Sequence, residues 1–128
     1  ALGHLAGVPR YVEAAERAVR RFGPSIGESP GGYSTLLEAA HGLGHPPTLV
    51  ILGGEPGDAG RWERALRSAW RPSVHVYRLP AAGAPEALVK GAAPAAGARA
   101  WVCHGMTCRP PVDALDAVEA LLREGRSG

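Results

Sequence analysis

The sequence predicts an α/β fold, a small three-stranded and mostly parallel sheet with flanking helices, preceded by an N-terminal helical hairpin. Three observations carry that expectation. Apolar residues recur at helical spacing as far as Gly44. Thr48–Leu52 is then an unbroken apolar run bounded by Pro46-Pro47 and Gly53-Gly54, the pattern of a strand buried on both faces. Finally, strand, helix and strand follow one another between Thr48 and Leu79, which is the order of a βαβ unit. Residues 1–45 are assigned to the hairpin and 46–128 to the α/β domain.

The elements follow in order. In the first helix Tyr11, Val12, Ala15, Val19 and Phe22 form the apolar stripe, and Glu13, Glu16, Arg17, Arg20 and Arg21 take the other faces. Pro9 suits its first turn, and Gly23-Pro24 is expected to stop it. The second helix opens at Thr35–Glu38, a capping-box pattern in which hydroxyl and carboxylate each satisfy a backbone N–H. Leu36, Leu37, Ala40 and Leu43 are its apolar side, and Gly42 and Gly44 its end. After the first strand, Asp58 is expected to cap a helix whose Trp62, Leu66, Ala69 and Trp70 share a face. Val74–Leu79 is the second strand, and residues 81–97, rich in Ala, Gly and Pro, form a surface connection. Ala98–Cys103 is the third strand. Asp113 caps the last helix, with Leu115, Val118, Leu121 and Leu122 inward.

Composition excludes several function classes. The 18 glycines and 12 prolines argue against a helical bundle. A net charge of +2 is too small to draw the chain to nucleic acid. No apolar run approaches the roughly 20 residues needed to span a bilayer. The first residues read as helix with no signal peptide, and the chain is expected to belong to a longer protein. Two cysteines in 128 residues do not make a secreted disulfide scaffold, which favours the cytoplasm.

Few side chains promise chemistry. The turn Gly53–Gly60 sits where nucleotide-binding folds place phosphate, but it matches neither G-x-G-x-x-G nor the P-loop, and Glu55 and Asp58 would repel an anion. Arg61, Arg64, Arg67 and Arg71 line one side of the middle helix, either as an anion-binding stripe or as a solvated or docked face, the second being the simpler reading. Trp62, Trp70 and Trp101 read as packing residues, and His4, His41 and His45 as solvated ones. The reactive constellation is Cys103, Cys108 and the adjacent His104, at the end of a strand. His104 could favour a thiolate. The C-x4-C spacing is not that of thioredoxin-like motifs, and zinc would need ligands recruited from His45 or His75. Structural thiols, a disulfide, a redox role and a metal site all stay open, with structural thiols foremost.

The stretch Leu88–Gly91, then Gly97–Val112 with Cys103 and Cys108, resembles the C-terminal end of the YyaL / spermatogenesis-associated, thioredoxin-domain-containing family. Upstream, Arg10–Ala18 is similar to a late helix of that family's helical barrel, and Thr48–Gly54 to the strand after it. The resemblance implies a bacterial parent with a thioredoxin-like domain and a six-hairpin (α/α) toroid, on which this portion would pack as a non-catalytic α/β domain. It carries no catalytic residue onto this sequence and implies no cofactor. The alternative is a small thiol or redox module using Cys103 and Cys108. The expected partners are the rest of the parent chain, or a second copy through the N-terminal hairpin, with neither nucleic acid nor membrane among them.

Overall fold

A computed structural model describes residues 8–80, 83 and 86–124. The readings at His4 and the other residues of 1–7, and at Ala81, Ala82, Ala84 and Pro85, lie outside the described residues. The chain divides into two compact units, with the boundary between Pro47 and Thr48.

The first unit holds α1 (Pro9–Glu28), a 3-10 turn (Pro30–Tyr33) and α2 (Ser34–Gly44). Helix α1 runs through Gly23-Pro24 instead of stopping there. Proline keeps a helical φ, and what it removes is the N–H that Arg20 C=O would accept. Both residues are exposed, so that carbonyl lies on the solvent side of the helix. The capping box at Thr35 does not form, because α2 starts one residue earlier, directly out of the 3-10 turn, with no side-chain cap. Neither helix buries a side chain. Phe22 stacks on Tyr33 at 6.5 Å between ring centres, and His41 on His45 at 4.6 Å.

The second unit is built on β1 (Thr48–Gly54), α3 (Pro56–Ser68), β2 (Val74–Arg78), a 3-10 turn (Glu86–Leu88), β3 (Ala98–His104), β4 (Thr107–Cys108) and α4 (Leu115–Glu124). The sheet order is β2-β1-β3-β4. Strand β1 pairs parallel with β2, in register Val50 to Val76, as a βαβ unit requires. The other pairings correct the mostly parallel expectation: β3 runs antiparallel to β1, in register Val50 to Val102, and a fourth strand follows it. The reason lies in the connection. A parallel third strand needs a crossover, usually a helix, to carry the chain back to the other end of the sheet. The described part of 79–97 holds a single 3-10 turn, and its Ala-Gly-Pro composition cannot supply that helix. Strand β3 therefore starts at the end where β1 finishes, with Ala98 opposite Gly54.

Side chains alternate across β1. Val50 and Leu52 join Val76, Ala98, Ala100 and Val102 under Ala59 and Leu66 of α3 and Val118 and Leu122 of α4. Each Val or Leu side chain among them that is removed from water contributes roughly 1.5–3 kcal/mol. Leu49 and Ile51 face the other way and are buried too, as are Trp101 and Cys103 opposite them. Trp62, Leu115 and Leu121 complete the helical side. Trp70 does not share that face and is 89% exposed. Helix α3 ends at Ser68, and Ala69 turns extended, which swings Trp70 off the stripe.

Two caps also differ from expectation. Glu55, not Asp58, caps α3: its carboxylate accepts the Asp58 N–H at 2.9 Å, with Pro56 in the first turn. Asp58 is held by Arg61. Asp113 is drawn away from the start of α4 by Arg99, whose Nε and Nη2 donate to its two oxygens at 2.6 and 2.7 Å.

Candidate functional site

The reactive residues meet at the β3–β4 hairpin. Gly105 takes φ +58° at the first central position of a two-residue turn, which glycine adopts without strain. That turn sets His104 opposite Thr107 and Cys103 opposite Cys108. Arg109 N–H donates to Val102 C=O at 2.9 Å, so the cysteines occupy a non-hydrogen-bonded pair, where facing side chains lie closest. They are joined in a disulfide, with Cα atoms 3.8 Å apart. Closing so short a loop removes about 2 kcal/mol of unfolded-chain entropy.

The two sulfur-bearing residues differ in environment. Cys103 is 2% exposed, within the buried face of β3, whereas Cys108 is exposed on the edge strand. Beyond Cys108 the chain stays beside β3, Ala100 and Val112 exchanging N–H···O bonds at 2.9 and 3.0 Å. Pro110 and Pro111 on this margin lack donors, which protects the edge from pairing with another strand.

His104 is adjacent to Cys103 in sequence but not in space. Successive side chains of a strand point to opposite faces, and His104 Nδ1 lies 3.4 Å from Thr48 Oγ1, its cross-strand neighbour. His45 stacks on His41, and His75 sits on β2. Among the described residues no three His, Cys, Asp or Glu side chains gather as a metal site.

A groove of about 430 Å³ runs beside Cys108, lined by Lys90, Arg99, Trp101, Arg109, Pro110 and neighbouring backbone. Its charged lining is cationic. Arg99 is tied to Asp113, and Arg109 lies 3.9 Å from Glu124. The hydrogen bonds from Arg99 hold the Asp113 carboxyl below the usual carboxylate range, against the opposing effect of desolvation and with a smaller contribution from the Arg99 charge. Its folded value lies below its unfolded one, so the stabilisation is present at neutral pH and is lost as pH falls through the folded value. Asp113→Asn should therefore lower the urea midpoint at neutral pH, and the gap to the unsubstituted chain should close in acid. A pH-independent gap would sink this attribution.

Several of the other candidate groups are paired within the protein, whereas Arg71 Nη1 is buried with no hydrogen-bond partner among the described residues. At the Gly53–Gly60 turn, the Glu55 carboxylate fills the anion position at the N-terminus of α3. Of the arginine stripe, Arg61 pairs with Asp58 and Arg67 with Glu63 at 3.2 Å. Arg67 Nη2 also donates to Val76 C=O at 2.7 Å on the open edge of β2. Arg71 lies past the helix end, its C=O accepting the Val74 N–H at 3.0 Å. Among the described residues no helix is long and apolar enough to cross a membrane.

The sequence reading missed the Glu55 cap, the Arg99–Asp113 fork and the groove. Only the first had a local signal, a carboxylate directly before a proline at a helix start. No protein-family model matches this chain, and neither the curated proteins nor the solved structures contain a match to it.

Proposed function

We propose that this chain is a non-catalytic α/β domain with an attached helical hairpin, the C-terminal portion of a larger cytoplasmic protein of the thioredoxin-domain, six-hairpin-toroid kind. The observation that carries this reading is the state of the hairpin. Two amphipathic helices bury none of their side chains, and Tyr11, Phe22 and Leu37 are 42%, 44% and 40% exposed. Isolated apolar side chains at a surface are ordinary, but a helix pair without a single buried one lacks the contacts that stabilise helices of this length. Companion hairpins of a toroid would supply them. In the α/β unit the N-terminus of α3, where a nucleotide-binding fold would hold phosphate, is closed by Glu55, which supports the same reading.

Hydrogen exchange tests the proposal. In the 128-residue chain, amides of Pro9–Gly44 should exchange far faster than those of Thr48–Gly54. In a longer protein that includes the upstream helical hairpins they should become protected. Slow exchange in the isolated monomer, or no gain in the longer protein, would refute it.

A further inference from the structure

The geometry points to the Cys103–Cys108 bridge as a thiol–disulfide exchange site that a partner dithiol enters at Cys108. This inference is independent of the packing role proposed above. It rests on the unequal placement of the two bonded residues and on the groove beside one of them. Cys108 is exposed on the last strand of the sheet, while Cys103 is 2% exposed under it. An attacking thiolate must approach a sulfur along the S–S axis from outside, and only the Cys108 end is open to it. The groove of about 430 Å³ at that end is lined by Lys90, Arg99 and Arg109 and by Pro110 and Pro111, whose rings offer apolar surface to an extended segment.

A partner thiolate forms a bond to Cys108 Sγ, the Cys103–Cys108 bond breaks, and its electron pair leaves on Cys103 Sγ. That thiolate forms in a buried position where charge is disfavoured, so it either takes a proton or returns to Cys108 and expels the partner. A monothiol is therefore ejected. A dithiol has a second sulfur, which attacks its own mixed disulfide, releases Cys108 as a thiolate and leaves the partner oxidised. Two electrons and two protons pass from the partner to the hairpin. The chemistry thus selects a protein dithiol of the C-x-x-C type over glutathione.

The test uses the full chain, first oxidised with diamide until no thiol titrates. It is mixed with a thioredoxin-type protein whose second active-site cysteine is serine, quenched in acid and mapped by non-reducing mass spectrometry. The expected adduct is on Cys108. With the intact dithiol protein the bridge should open at least about tenfold faster than with glutathione at equal thiol concentration. As an independent measurement, the thiol left in Cys103→Ser should react with a disulfide reagent at least about tenfold faster than the thiol left in Cys108→Ser. An adduct on Cys103, equal rates for the two variants, or reduction by glutathione as fast as by the dithiol would each overturn the inference. So would the absence of any adduct under conditions in which oxidised glutathione is attacked.

Discussion

Gly54→Ala is expected to destabilise the α/β unit by about 3–5 kcal/mol, among the largest effects of any single methyl group in this chain. Gly54 ends β1 with φ +117°, a conformation that L residues rarely adopt. The added Cβ would lie 2.4 Å from Gly97 O and 3.1 Å from Ala98 Cα, both backbone atoms that no side-chain rotation can move aside. Relief by shifting Gly97 would break its bond from Glu55 N–H, 2.8 Å long, and Glu55 is the residue that caps α3. One methyl group therefore disturbs the β1–β3 ladder and a helix start together. Gly97→Ala makes the contrast. Gly97 has φ +77° but nothing near its absent Cβ, so only the conformational cost of about 1–2 kcal/mol applies. Urea unfolding followed by circular dichroism should separate the two variants clearly. Equal midpoints would show that the close approach of the two strands is not what demands glycine at position 54.

Trp101→Ala should cost about 3–5 kcal/mol, the usual range for deleting a buried tryptophan. The indole is 3% exposed and lies over the backbone of Gly53. A Cβ at Gly53 would sit 3.1 Å from its Cζ3 and 3.3 Å from the Ala93 methyl, so ring, strand and connecting segment are in close contact. Removing the ring leaves that face of β1 without its largest cover and widens the groove beside Cys108. Trp70→Ala is the control. At 89% exposure it should change stability by no more than about 0.5 kcal/mol. Urea midpoints that fell equally for both would refute the assignment of Trp101 to the core.

Much of the fold was legible in local pattern. The Thr48–Leu52 run, the parallel β1–β2 pairing and the inward face of α4 at Leu115, Val118, Leu121 and Leu122 follow from periodicity and from the apolar stripe each element must bury. The misplaced caps share a different cause. Asp58 and Asp113 are good capping residues by type, but Glu55 stands one residue before Pro56, and Arg99 lies on a strand distant in sequence that folding brings to Asp113. Residue type states what a side chain can do, and competition among partners decides what it does.

The candidate site divides in the same way. Sequence by itself determined the order of the four helices and of β1, β2 and β3, and the unbroken apolarity of the central strand. Those are properties of neighbouring residues and of local backbone sterics. Tertiary structure alone decided that β3 runs antiparallel, that Cys103 is covered while Cys108 is open, and that His104 turns to Thr48 instead of to the sulfurs. Each of these depends on which strand lies alongside and which face it covers. A strand's alternation states that two faces differ, and only its neighbours determine which of them is shut from water.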